Sequence, residues 1–162
     1  MVTRNQTSNH VQVIGEQLTM DKALSDIRIL DMTHVQSGPT CTQLLAWFGA
    51  DVIKVEPPGM GDLTRALGGK SRGLSPFFST LNRNKRSIVL NLKDKKGVEL
   101  LKQLVAGADV FVQNFRPGAA ERMGIGEEVL REVKPDLIYV SISGFGEKGP
   151  YVHKRVYDPV IQ

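Results

Sequence analysis

The densest chemistry in this chain lies at Thr33-His34-Val35-Gln36-Ser37-Gly38-Pro39, where an imidazole, a side-chain amide and two hydroxyls surround a Gly-Pro step. Such a turn can hydrogen-bond a ligand, and His is the side chain that titrates nearest neutral pH. Two readings of His34 stay open, a hydrogen-bonded turn residue or a proton-transfer group. A dinucleotide site would need G-x-G-x-x-G here, and only Gly38 is present, although Glu56 stands where a ribose-binding acid would lie. Gly69-Lys70-Ser71 has the ending of a P-loop, but Thr64 replaces its first glycine and no strand leads into it. His10, His34 and His153 are too dispersed for metal-ligand spacing, and there is no G-x-S-x-G nucleophile elbow. Asn82-Arg83-Asn84-Lys85-Arg86-Ser87 is a compact basic cluster that reads either as a solvated charge run or as a phosphate-recognition patch. No aromatic residue interleaves it and no nucleic-acid motif accompanies it, so a nucleotide-bearing small molecule is the better ligand and nucleic acid is not expected.

Short apolar runs and helical stretches alternate around these residues. Ile27–Asp31, Val52–Glu56, Ser87–Leu92, Asp109–Val112 and Leu137–Ser143 read as strands. Between the first two, Cys41, Leu44, Leu45 and Phe48 share one helix face, which places Cys41 in the core; Pro39 suits the first turn and Gly49 the carboxyl-terminal cap. Asp94 can cap a second helix whose face is Val98, Leu101, Leu104 and Val105, and Glu127–Lys134 forms a third, stopped by Pro135. The Gly-rich connection 57–81 is too long for a structureless loop and is expected to be functional or to contain short helices. Strands alternating with helices predict an α/β fold with a parallel, doubly wound, Rossmann-like sheet. Ligands bind such sheets at the carboxyl ends of the strands, which puts Thr33–Pro39, Glu56–Gly61, Lys93–Lys96, Gln113–Gly118 and Ser143–Tyr151 at the candidate site.

The chain's 162 residues, 41% hydrophobic and 23% charged, suit a globular domain and not a disordered chain. No apolar run is long enough to span a membrane, and the single cysteine cannot form an intrachain disulfide. The net charge of +4 mildly favours an anionic partner. Residues 1–19 are polar, lack the apolar stretch of a secretory signal and read as a disordered leader before Met20; a cytoplasmic protein is expected.

Leu30–Pro39, Ala46–Glu56, Gly61-Asp62-Leu63-Thr64-Arg65, Asn84-Lys85-Arg86-Ser87-Ile88, Asn114-Phe115-Arg116-Pro117-Gly118, Gly144-Phe145-Gly146 and Gly149-Pro150-Tyr151 accumulate along the chain. Together these segments resemble the family III (CaiB/BaiF-type) coenzyme A-transferases. They stand in the family's order across residues 24–162, and the stretch with His34-Val35-Gln36 and Cys41-Thr42-Gln43 looks most like the formyl-CoA:oxalate CoA-transferases. The resemblance implies transfer of CoA between an acyl-CoA and a carboxylic acid through an aspartyl anhydride, with CoA a substrate and no permanent cofactor. It implies CoA contacts at His34, Gln36, Leu90, Leu92, Lys93, Asn114, Phe115, Arg122 and Arg155, with Gln36 near the reacting thioester. Pro57 falls where the oxalate enzymes carry an arginine.

Asp158 precedes Pro159 and suits a helix cap or a supporting role better than that of nucleophile, which the family places one element past Gln162. Residues 20–162 therefore read as the incomplete amino-terminal CoA-binding part of the transferase's large domain. Two alternatives remain: a non-catalytic CoA- or nucleotide-binding remnant, and a relative of the α-methylacyl-CoA racemases, against which Tyr157 counts in place of their histidine. The family also implies an intertwined homodimer, so a sheet edge and an apolar helix face are expected to be uncovered in this chain, with poor solubility.

Overall fold

The computed structural model describes residues 12–14, 17–19 and 22–156. Two short strands, β1 (Gln12–Ile14) and β2 (Gln17–Thr19), pair antiparallel as a sheet of their own. The rest of the 1–19 stretch, Met20, Tyr157 and Asp158 lie outside the described residues.

The main sheet is built from β3 (Arg28–Asp31), β4 (Asp51–Glu56), β5 (Arg86–Val89), β6 (Val110–Gln113) and β7 (Ile138–Ser141), in the order β5-β4-β3-β6-β7 with every pair parallel. Strand order reverses at β3, which opens a crevice at the carboxyl ends of β3 and β6, the place where such sheets bind ligands. All five strands fall where the apolar runs predict them. The third and the fifth are shorter than predicted; after Val89 the chain leaves the sheet and carries Leu90–Lys93 past its carboxyl end.

Both faces of the sheet are covered, as period-two alternation along buried strands requires. One face packs Leu30, Val55 and Phe111 against Leu101 and Val105 of α3 (Lys95–Ala106) and Leu130 of α5 (Glu127–Val133). The other packs Ile29, Val52 and Val112 against Ala46 of α1 (Ser37–Trp47). Asp94 caps α3 as its sequence predicts, accepting the Lys96 N–H at 3.0 Å. The long 57–81 connection contains a 3₁₀ turn at Leu63–Arg65 and α2 (Pro76–Leu81), where the Ser75 hydroxyl caps the Phe78 N–H. A further short helix, α4 (Ala119–Arg122), follows the β6 turn.

The orientation of α1 corrects the expected face. Cys41 is exposed, and so are Leu44, Trp47 and Phe48, at 45%, 47% and 59%. The buried residues are Gly38, Pro39, Thr42, Gln43 and Ala46. Gly38, Thr42 and Ala46 recur every four residues and bring the helix backbone close to the sheet. A Cβ on Gly38 would come within 2.3 Å of the Thr33 Cβ. Thr42 also buries its hydroxyl on Asp31, which no apolar residue on that face could replace. The apolar stripe of Leu44, Trp47 and Phe48 is thereby left facing outward, while Leu45 of the expected face packs partly buried against the core. Among the described residues no helix is long and apolar enough to cross a membrane.

Gly97 makes a second close approach, because a Cβ there would lie 2.0 Å from the carbonyl oxygen of Asn91, which is backbone and cannot swing away. Helix propensity favours alanine by about 1 kcal/mol, whereas overpacking costs about 1–3 kcal/mol or more. Gly97→Ala should therefore lower the urea unfolding midpoint; an unchanged or higher midpoint would contradict this packing.

Candidate functional site

The turn that follows β3 is held from several directions. Val35 has φ +69°, a left-handed backbone that costs a β-branched residue about 1–3 kcal/mol. Lys54, from β4, donates from Nζ to the Thr33 carbonyl at 2.7 Å. Asp62, before the 3₁₀ turn, accepts the Val35 N–H on Oδ1 at 3.3 Å. Asn114, after β6, accepts the His34 N–H and donates from Nδ2 to the His34 carbonyl, both at 2.9 Å.

Beneath the turn lie two buried ion pairs, Lys54–Asp62 at 2.9 Å and Lys85–Asp31 at 2.8 Å, with all four side chains no more than 1% exposed. Burying an ion costs several kcal/mol of hydration, so each needs an opposite charge and hydrogen bonds close by. Asp31 has them: it accepts from the Thr33 N–H, from the hydroxyls of Thr33 and Thr42, and from Lys85. Burial pushes the Asp31 and Asp62 carboxyls up, but the neighbouring ammonium groups and hydrogen bonds outweigh it and hold both below the usual carboxylate range.

Glu56 does not present a free carboxylate to a ribose. It accepts two hydrogen bonds from Arg65 and one from the Ser87 hydroxyl, all at 2.6 Å, and one from the Asp62 N–H at 2.9 Å. Burial raises its pKa, and these partners more than reverse that, to about 2. Arg65 is itself fixed over the ring of Phe78, its Cζ 3.7 Å from the centroid.

A cavity of about 240 Å³ opens at the carboxyl ends of the strands. Met32 and His34 line it after β3, Val55–Pro58 at the end of β4, Leu90–Lys93 after β5 and Phe115 after β6, together with Met123. Its walls are mostly apolar, with a few polar groups converging, as small-molecule sites are. The His34 and Phe115 rings face each other at 6.0 Å, tilted by 49°. Burial first, then the Lys54 charge, lowers the His34 pKa against the opposing pull of Asp62, Asp31 and Glu56, so its imidazole is neutral at pH 7.

Of the residues singled out in the sequence, His34, Leu90, Leu92, Lys93 and Phe115 meet in this cavity. Asn114 stands behind the wall with its amide committed to the His34 backbone. Gln36 is exposed at the amino-terminal cap of α1, and its side chain makes no capping hydrogen bond. Arg122 is exposed at the end of α4, with its guanidinium against Gly118. Arg155 is exposed and outside the cavity wall.

The basic cluster is a correction. Lys85 is buried on Asp31; Arg86 pairs with Asp51 at the opposite, amino-terminal end of the sheet; and Arg83 lies over Trp47. These charges serve the fold and do not converge on a phosphate. Sequence reasoning missed Lys54 and Asp62. The available signal was a lysine inside the apolar run Val52-Ile53-Lys54-Val55, where a buried charge demands a partner. Among the described residues no cluster of His, Cys, Asp and Glu could hold a metal ion.

A family model described as CoA-transferase family III matches residues 24–162. The formyl-CoA:oxalate CoA-transferase of Bradyrhizobium diazoefficiens is 54% identical over 147 residues, which is 88% of this chain and 34% of that protein. That of Afipia carboxidovorans is 56% identical over 144 residues, with the same two coverages. The crystal structure of a CAIB/BAIF family protein from Brucella suis superposes with a TM-score of 0.83 at 39% identity, over 88% of this chain and 39% of that one. Rv3272 from Mycobacterium tuberculosis superposes at 0.80 and 36% identity, over 86% and 39%. The chain thus spans about a third of the length of the transferases it matches.

The carboxyls below the turn give a pH prediction. A depressed pKa contributes stability that is present above the unfolded value and lost as pH falls through the folded one. For Glu56 that window runs from 4.5 down to about 2. Arg65→Met should therefore cost about 1–2 kcal/mol at pH 7, with the difference from the native chain shrinking as both approach pH 2. Urea titrations across this range check it, and a pH-independent difference would contradict the assignment.

Proposed function

The chain belongs to CoA-transferase family III, and on that footing we propose that it carries the coenzyme A site of an enzyme moving CoA between an acyl-CoA and a carboxylic acid, with formyl-CoA and oxalate as the substrate pair. The observation that supports this most is the convergence of His34, Leu90, Lys93 and Phe115 on one apolar cavity at the switch-point crevice. A flat base fits between apolar walls and gains from an aromatic neighbour such as Phe115. A neutral His34 adds a hydrogen-bonding edge without placing a charge against the base. The Lys93 ammonium supplies a point charge for a phosphate at the cavity's rim.

In this reading a carboxylate attacks the thioester carbonyl, the C–S bond breaks and CoA thiolate leaves, which generates a mixed anhydride. The thiolate then attacks the enzyme's carbonyl and releases the first acid. The incoming acid repeats the sequence in reverse and departs as the new CoA thioester. Each exchange swaps one activated carboxyl for another of similar energy, which is why covalent catalysis suits it. The contributions assigned to this chain are binding and orientation. Gln36, exposed beside the turn with its amide uncommitted to a cap, is assigned the hydrogen bond to the acyl oxygen in this reading. An intertwined homodimer belongs to the same reading and is supported by the outward-facing Leu44, Trp47 and Phe48.

Isothermal titration of the 162-residue chain with CoA tests the site. Saturable binding is expected, with Phe115→Ala and Lys93→Ala each weakening it roughly tenfold and Arg83→Ala leaving it unchanged. Absence of binding, or equal affinity in all variants, would remove this reading. Formyl-CoA and oxalate assayed with the same chain then separate binding alone from turnover.

A further inference from the structure

We infer that Asp62, with Lys54 as its partner, is a positioning residue that locks the turn after β3 in its ligand-ready conformation before any ligand arrives. The inference rests on the proposed use of this turn for CoA, and it assigns the buried pair a purpose beyond stability.

The two side chains reach the turn from different elements and contact consecutive parts of it. Lys54 Nζ bonds the Thr33 carbonyl at 2.7 Å, and Asp62 Oδ1 bonds the Val35 N–H at 3.3 Å. Asp62 Oδ1 also accepts the Thr64 N–H and hydroxyl, at 3.0 and 2.8 Å, so the carboxylate is itself anchored in the 3₁₀ turn. Its Oδ2 accepts no hydrogen bond of good geometry among the described residues and faces the Lys54 ammonium at 2.9 Å. The pair is nearly inaccessible to solvent, and well-packed apolar residues of similar volume generally replace such a pair without loss of stability. What apolar residues could not do is hold one carbonyl and one N–H on either side of His34.

The need for a clamp is visible at Val35, the residue Asp62 bonds. Its positive φ is one that a valine leaves unless its surroundings prevent it. That φ turns the chain from β3 toward α1, immediately before Gln36 at the helix's amino-terminal cap. Asn114 fixes the neighbouring His34 backbone on its own, so the division of work is specific: Asn114 holds His34, and the Lys54–Asp62 pair holds Thr33 and Val35. A turn fixed in advance raises affinity because the ligand does not have to order it.

The test reads the turn directly. In the isotopically labelled native chain the Val35 amide should be protected from hydrogen exchange and its backbone NMR signature should mark a positive φ, both without CoA. Asp62→Ala should accelerate that exchange at least about tenfold, the equivalent of one lost hydrogen bond, shift residues 33–36 and weaken CoA binding by a similar factor. Should that variant not fold, Lys54→Met/Asp62→Leu replaces the pair with apolar side chains and carries the same expectation at near-native stability. Adding Val35→Gly should recover part of the lost affinity, since glycine adopts the turn's φ without strain; a merely structural role for the pair predicts no such rescue. Native-like Val35 exchange and shifts in the folded variant would overturn the inference. Failure of the native chain to bind CoA, with Val35 behaving as described, would overturn the functional reading and leave the positioning role standing.

Discussion

Two lysine–carboxylate pairs buried beneath one turn are the constraint around which this structure is arranged. Lys54–Asp62 and Lys85–Asp31 sit where β3 and β4 end, and neither pair is accessible to solvent. A charge in such a place is tolerated only if every neighbour is arranged to receive it. Thr33, Thr42, Thr64 and the backbone of the turn are so arranged. The arrangement ties four stretches distant in sequence, residues 31–42, 54–56, 62–65 and 85–87, to a single point at the carboxyl end of the sheet. A small displacement of any one would leave an ion without its partner.

The same constraint explains the orientation of α1. A helix chosen for apolar burial would turn Leu44 and Phe48 toward the sheet. Asp31 instead requires the Thr42 hydroxyl, and Thr33 requires a glycine above it at Gly38, so the small face is drawn inward. Electrostatic demand at one carboxylate thus decides which side of an eleven-residue helix is buried, and the outward apolar stripe is its consequence. The cavity benefits from the rigidity: Met32 and His34 on its wall follow directly from the strand that carries Asp31.

Much of the framework was legible in the sequence because it rests on local signals. Apolar runs of strand length, the Asp94 cap and the breaks at Gly49 and Pro135 each act within a few residues. Together they locate five strands and the three helices that cover them. The basic cluster 82–87 was not legible, because sequence spacing cannot distinguish a solvated lysine from one folded back onto an aspartate 54 residues away. Asn114 stands out in the sequence only through the family resemblance, and its contact is with the His34 backbone 80 residues earlier, a relation that no local pattern encodes.

The sequence by itself determined the alternation of strand and helix, hence the parallel sheet and the end of it at which a ligand could bind, because strand and helix periodicities and caps are properties of neighbouring residues. It also carried enough ordered motifs to indicate a family. Only the tertiary structure decided that Lys85 and Arg86 serve the fold, that Glu56 is fully engaged, that Cys41 faces outward and that Lys54 and Asp62 stand under the turn. Each of these depends on charges meeting across the sheet, and their energy is set by burial and by partners that come together only when the chain has folded.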